Sequence, residues 1–536
     1  MDRSQYLVAP PAACDASVLA GLTAREALAA TAWRLPAGLA YVEGPLRLTW
    51  SEVAARVAAL AQDLERAGIG EGDVVGLRLP NGAAFAIAHL AIAEVGAVTL
   101  PLHVPYGAAE VRQFLGVSAA RAYVHAACDE DCAGVRRTLP VLDVLVHTDP
   151  AAMTFAVDGS ATPRRMRPQQ LVPDAPFCIV PTSGTESPRP KLCLHAHDGL
   201  LSNARAFVDE ARVSEDDVLI VGGGFTHLFG LLGLHVSLLA GAALLALPKF
   251  EAHRFLALAS RERATRAWAV PAQLVDLVAA AREGSYPLAL REVRTAGAPA
   301  GAALLADVRI TLGAPVTVHW GMSELGGGIT TYGRDAGAAP VGIGVPIAGA
   351  QVRVARADGS DAAPNEIGEL LYRRADLFRG YFNDPDATAR AFAPDGWLRT
   401  GDRAALDDDG VVHYHGREKD VVNRGGYKIG TAELEAYLDG LPALRRGAIV
   451  AVPDPRLGER AALVAELHPG SSLTLTDVAA ILATRGVAKY KWPEHLIIVE
   501  TMPMTVTNKI AKGAVRALAC EWLAAGDAGT RRSESA

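Results

Sequence analysis

Helix-period stretches alternate with short apolar runs through the first three hundred or so residues, and that alternation confines the chain to a layered α/β body with parallel sheets. LTWSEVAARVAALAQDLERAGI reads as a strand end, a cap at Ser51 and an amphipathic helix. The strand DVVGLRL and the helix AAFAIAHLAIAEVG follow it. The same rhythm continues in VTLPLH, ARAYVH and LDVLVH, then in DDVLIVGG, AALLALP, RAWAVPAQLVDLV, VRTAGAP and PVTVHWGMSE.

Beyond about Val345 the pattern changes to period-two hairpins around Asp-Gly turns, in QVRVARADGSDAAPNEIGELLYR and AALDDDGVVHYHG. After GREKD a compact α+β texture takes over, and CEWLAAGDAGTRRSESA loses its apolar period. The expected organisation is a large N-terminal region of α/β layered sheets plus a β-rich subdomain over residues 1–418. A small mobile α+β C-terminal domain over 419–516 and a flexible tail over 517–536 complete it.

One run, Leu228 to Pro248, carries no Asp, Glu, Lys or Arg and is long enough to span a bilayer. Its glycines, His235 and Ser237, and the break at Ala240-Gly241 favour a buried helix followed by a short strand. The first residues, MDRSQYLVAPPAAC, do not read as a secretory signal, so export is not expected. The six cysteines are scattered; Cys128 and Cys132 lack a second ligand pair for zinc and read as ordinary thiols of a cytoplasmic protein. A net charge of -7, from 52 basic and 59 acidic residues, removes the footprint of a general nucleic-acid binder. A polyanionic ligand therefore needs a local cluster of cations.

The strongest candidate for such a cluster is IVPTSGTESPRPKLCLHAHDG, where an apolar strand runs into Thr182, Ser183, Gly184, Thr185, Glu186 and Ser187 ahead of Lys191. Small hydroxyl residues around a glycine can present N–H and O–H donors to phosphate oxygens, and a lysine adds charge. It is not a Walker loop, because GxxxxGK[ST] is absent, and an ordinary turn has the same composition.

Further segments stand in order along the chain: TAGAP (295–299), HWGMSE (319–324), GELLYR with FRGYFNDPDAT (368–388), WLRTGD (397–402), GREKDVVNRGGYKI (416–429) and YKWPEHLIIVETMPMTVTNKIAK (490–512). Over about residues 45 to 516 the chain resembles the adenylate-forming superfamily of acyl- and aryl-CoA synthetases, stand-alone acid adenylating enzymes and luciferases. The resemblance implies a two-step reaction at one site. A carboxylate attacks the α-phosphorus of ATP to give acyl-AMP and pyrophosphate, and a thiol then displaces AMP.

By resemblance, Lys509 bridges the two anions, Glu324 holds Mg²⁺, and Trp320 stacks on adenine with Gly297, Ala298 and Pro299 on the ring's other side. Gly321 and Ser323 belong to the same motif, with Thr182, Ser183, Gly184, Thr185 and Lys191 at the phosphates. Asp402 is implied as a two-oxygen acceptor for the ribose hydroxyls, with Arg417 a donor fork to the same region. Lys419 matches the family hinge, about which rotation would withdraw Lys509 and bring in the Gly425-Gly426 loop. His227 in FTHLFG is implied as a gate of the acid pocket, a core histidine being the plainer reading. The runs Gly222–Gly224 and Gly326–Gly328 either leave room for a ring or make tight turns.

Three features depart from the family pattern. The loop TSGTESPRPK is one residue longer than usual and carries Glu186, leaving the phosphate contacts of Ser187 and Arg189 open. Asn508 replaces the usual glycine and is the mildest such replacement, since Asn tolerates the left-handed region. The asparagine that holds an ortho-hydroxyl acid is not evident, so a salicylate-type substrate is not expected. The implied ligands are a small carboxylic acid, ATP, Mg²⁺ and CoA, or carrier-protein pantetheine in a loading enzyme. A homodimer and a non-catalytic nucleotide-binding protein on the same fold remain open.

Overall fold

A computed structural model describes residues 20–126, 132–182, 191–332, 342–417, 420–424, 427–505 and 508–527. Ser183, Gly184, Thr185, Glu186, Ser187, Arg189, Lys419, Gly425 and Gly426 lie outside the described residues.

The alternation produces two large mixed sheets. Among the described residues one has nine strands, with a parallel centre running Val316–Met322, Glu292–Ala296, Arg266–Trp268, Val218–Val221, Ala243–Leu245 and Leu39–Glu43. The other has eight, with Pro176–Pro181, Val98–Pro101, Val74–Arg78, Ala122–Ala126 and Val144–Asp149 parallel. Strands buried on both faces, such as Val218–Val221 and Ala243–Leu245, are mostly apolar and read as runs rather than alternations, although Glu292–Ala296 buries Glu292 and Arg294.

Two helices, Ala83–Glu94 and Leu228–Ala240, are buried almost all round and share one core with strands of both sheets. A helix without a polar face must be covered on every side, and here the sheets supply the cover. Where they meet, His89 Nε2 and His235 Nε2 are 3.1 Å apart. The 228–248 run is thus resolved as a 13-residue helix, a turn at Gly241 with φ 78°, and the strand Ala243–Leu245. Among the described residues no helix is long and apolar enough to cross a membrane.

Two local expectations are corrected. The helix Trp50–Arg66 is capped by Thr49, not Ser51: Glu52 N–H donates to Thr49 Oγ1 while Glu52 Oε2 receives the Thr49 N–H. The capping-box spacing starts one hydroxyl earlier than the reading that chose Ser51. The C-terminal residues form a helix, Lys512–Asp527, instead of a tail from 517, and its Val515 and Ala519 are fully buried.

The hairpin section forms a four-stranded antiparallel sheet between Gln351 and Arg417. From Val421 onward a separate five-stranded sheet, with helices Thr431–Leu438, Leu475–Thr484 and Lys512–Asp527, carries two small cores of its own. This last section docks on the first through contacts that include two polar ones. Asp439 accepts the Ala303 N–H at 2.8 Å, in the first turn of helix Ala302–Leu312. Asp276 on helix Pro271–Glu283 lies 3.2 Å from Arg445 and 3.0 Å from Arg446, and both arginines also hold Glu466.

Candidate active site

The parallel strands of both sheets end beside a cavity of about 590 Å³, the position where open α/β sheets place ligands. Thr182, Lys191, His227, Gly297, Trp320, Gly321, Ser323, Glu324, Arg417 and Lys509, dispersed over more than three hundred positions, all line it. Ala298 and Pro299 continue the chain past Gly297 outside the lining, and Pro299 is exposed. Of the two glycine runs, Gly326 and Gly327 face the cavity. Gly222–Gly224 lie outside the lining, and it is Gly230 of the following helix that permits its close approach to them, since a Cβ there would stand 2.2 Å from the Gly224 carbonyl oxygen.

On one side sits a polar trio. Trp320 on strand Val316–Met322 donates its indole N–H to Asp402 Oδ2 at 2.7 Å. Arg417, from the adjacent strand of the hairpin sheet, brings Nε to 3.2 Å from Asp402 Oδ1, an ion pair without an aligned hydrogen bond. Oδ1 is buried and has no aligned hydrogen bond among the described residues, so Asp402 is held by the Trp320 indole on one oxygen and by the Arg417 ion pair on the other, where the sequence suggested two open acceptors. Burial raises the Asp402 carboxyl above its ordinary range, and Arg417 opposes that.

Glu324 forms a second polar group. The Tyr381 hydroxyl donates to Glu324 Oε1 at 2.6 Å, and Lys191 Nζ lies 5.2 Å from the centre of the same tyrosine ring. Burial raises the Glu324 carboxyl; Tyr381, Arg417 and Lys191 work against that rise. A buried carboxylate that lines the cavity calls for positive charge beside it. Among the described residues no group of three metal-ligating side chains exists. Tyr381 lies in the quoted FRGYFNDPDAT segment but had no assigned role; its pairing with Glu324 spans 57 residues and has no local signal.

Lys509 enters from the C-terminal section. A tight turn carries it: Asn508 N–H donates to the Thr505 carbonyl at 3.0 Å, and Lys509 N–H to Thr505 Oγ1 at 3.1 Å. Asn508 has φ 57°, the left-handed conformation expected for a replacement of glycine. The lysine stem crosses Gly297, where a Cβ would come within 2.9 Å of Lys509 Cε, and Gly297 has φ 91°. Only glycine satisfies both conditions. Burial, reinforced by Arg417, lowers the ammonium to a pKa of about 8.

The other half of the cavity is mostly apolar. Phe207, Phe229, Leu228 and Leu232 form its walls, with Phe229 stacked on Trp268 at 5.2 Å. His227 stands at the start of helix Leu228–Ala240, where burial and the nearby Lys509 hold its imidazole neutral, far below the usual histidine value. Lys509 therefore lies on a boundary: nucleotide-type polar groups on one side, an apolar slot on the other.

A fold of parallel sheets with a cation at the strand ends defines a class of anion-binding α/β proteins. The family model for AMP-binding enzymes matches residues 28–382. A salicylyl-CoA synthase / salicylate adenylyltransferase from Streptomyces sp is 32% identical over 502 residues, covering 89% of this chain and 90% of that protein. A salicyl-AMP ligase / salicyl-S-ArCP synthetase from Mycobacterium tuberculosis is 32% identical over 517 residues, covering 92% and 90%. Among solved structures, ATP-bound MatB from Rhodopseudomonas palustris superposes with a TM-score of 0.83 at 25% identity, covering 94% of this chain and all of that one. The chain belongs to the AMP-binding, adenylate-forming enzymes. It is an ATP-dependent acid–thiol ligase.

Proposed function

We propose that the cavity activates an aromatic carboxylic acid as its acyl-AMP and then transfers the acyl group to the thiol of CoA. The observation that carries this reading is Lys509, a buried cation held between the Trp320–Asp402–Arg417 group and the apolar slot. Acid carboxylate and α-phosphate repel, and an ammonium between them stabilises charge where it concentrates in the transition state. A carboxylate oxygen bonds to the α-phosphorus as the bond to the bridging oxygen breaks, and pyrophosphate leaves. Asp402 Oδ1, which has no aligned hydrogen bond of its own, would accept a ribose hydroxyl, and Arg417 beside it would donate to the same end of the nucleotide. Thr182 and Lys191 would meet the phosphates, together with Ser183, Gly184 and Thr185.

Glu324 would hold Mg²⁺, which favours a carboxylate plus phosphate oxygens over an all-protein cage. Bound there, the ion would neutralise triphosphate charge. Planar walls such as Phe207 and Phe229 suit a ring, and the relatives named for salicylate act on one. The second step needs Lys509 withdrawn, which the Lys419 hinge would allow, so that the thiol attacks the acyl carbonyl and AMP departs. A cytoplasmic setting agrees with Cys178 and Cys193, both buried and free.

Loading of a carrier-protein pantetheine is the second reading, favoured by the Mycobacterium relative's name. Acid-dependent pyrophosphate release across a panel of aromatic and aliphatic acids tests the first step. Lys509→Ala is expected to slow it by about 10² to 10³. Thioester product with CoA alone supports the first reading; acyl-AMP that turns over only with added carrier protein supports the second. Release that no acid elicits, or that survives Lys509→Ala unchanged, would falsify both.

A further inference from the structure

Besides His227, the apolar half of the cavity holds a polar group with no part in the chemistry above. His319 precedes Trp320 on strand Val316–Met322, so its ring projects from the opposite face of the strand to the indole. There it stacks on Phe207, with ring centroids 4.2 Å apart and planes 25° from parallel, and it lines the cavity beside Gly327. The residue is 3% exposed.

Its neighbours fix where its proton sits. Arg294 Nη1 lies 2.8 Å from His319 Nε2, and a guanidinium has donors only, so Nε2 is the acceptor. Arg294 is itself fully buried and held in place: Nε donates to Glu292 Oε1 at 2.8 Å, Nη1 reaches Glu210 at 3.3 Å, and the guanidinium covers the Phe207 ring at 4.8 Å. Glu210 Oε2 is also 3.5 Å from Nε2, but the shorter contact belongs to the guanidinium. Burial, and then Arg294, push the imidazole down to a pKa of about 4, so it is neutral at physiological pH. A neutral ring that accepts at Nε2 carries its hydrogen on Nδ1. Nδ1 is buried and has no hydrogen-bond partner among the described residues. It lies 3.4 Å from the point where a Cβ on Gly327 would stand, and that Cβ would also come within 2.3 Å of Phe207 Cζ. Glycine at 327 leaves room there for the Phe207 ring that stacks on His319, and Gly327 and His319 both line the cavity.

We propose that His319 Nδ1–H selects the acid, by donating to a hydrogen-bond acceptor on its ring such as an ether, hydroxyl or carbonyl oxygen. Arg294 is the positioning residue that sets the tautomer, and Glu292 and Glu210 hold Arg294. An acid with only an apolar substituent at that point leaves a buried N–H unpaired, which the enzyme pays for in its rate with that acid. An amino substituent, itself chiefly a donor, is excluded more strongly. This selectivity rests on the cavity being an acid-activating site, as proposed above.

Matched acids test it: the 2-, 3- and 4-methoxybenzoates against the corresponding methyl- and aminobenzoates, scored as kcat/KM for pyrophosphate release with ATP and Mg²⁺. At one ring position the methoxy acid is expected to exceed its methyl partner by about tenfold or more. In His319→Leu that ratio is expected to fall to about one, and in His319→Gln, which keeps an N–H donor, to recover in part. A ratio near one at all three positions of the unaltered enzyme would overturn the proposal without any variant having to fold. So would a ratio that persists in His319→Leu. Acids that are activated with flat ratios refute the donor role alone. Absence of release with every acid removes the acid-activating reading, and the donor role with it.

Discussion

Lys509 is useful only while charged, and its surroundings bring the loss of that charge close to neutral pH. Protonated below about 8 and neutral above it, the side chain predicts a basic limb in the pH profile. In the free enzyme, kcat/KM for pyrophosphate release is expected to hold steady up to about pH 8 and then to fall about tenfold per unit. A profile flat to pH 10 would show that the ammonium is not needed. Much of this was visible in TVTNKIAK: the lysine, and the left-handed tolerance of Asn508 that the φ of 57° bears out. The tautomer of His319 was not. It depends on Arg294, 25 residues away on the neighbouring strand, and no local pattern reports a contact set by strand register.

Elements decide whether Lys509 arrives. Asp439, just past helix Thr431–Leu438, receives the N–H of Ala303 at the start of another section's helix, as a side-chain cap would. Gly301 allows this approach, since a Cβ there would lie 2.1 Å from Asp439 Cγ. With φ near -73° the Gly301 backbone accepts alanine, so Gly301→Ala should push Asp439 away without straining the chain. Adenylate formation is then expected to slow several-fold, with the thermal midpoint nearly unchanged; an unaltered rate would mean the docking contact is incidental. Helices and strands were legible where their apolar period was strong, as in the 228–248 run. The last helix was missed because Ala519 and Cys520 carry little apolar signal, although Ala519 is fully buried against the C-terminal sheet. The cap at Thr49 was missed because two hydroxyl residues, Thr49 and Ser51, compete within one turn.

At the scale of the whole chain, the proposed two-step reading calls for two arrangements of the C-terminal section. Lys419→Pro, which would stiffen the proposed hinge, is expected to spare adenylate formation and block thioester formation. Equal loss of both steps would count against a hinge there. A second expectation concerns stability in acid. His197 and His235 are pushed down to about 3 by burial, and His89 lies well below its ordinary value for the same reason. Above about pH 6.5 these rings are neutral whether the chain is folded or not, and they add no pH dependence. Below it the unfolded chain takes up protons that the folded one refuses, so stability falls by about 1.4 kcal/mol per unit for each ring. The melting temperature should drop steeply between pH 6.5 and 5, before most carboxylates titrate; a constant value over that range would show the rings to be hydrated. The apolar helices that bury these rings also bear on how the protein is made. Strand Leu39–Glu43 pairs in parallel with Ala243–Leu245, about two hundred residues downstream, and helix Ala83–Glu94 needs both sheets around it. A chain leaving the ribosome therefore carries a sticky, uncovered helix until nearly half of its length has been synthesised, which makes it a client for chaperones during translation and a poor candidate for truncated expression.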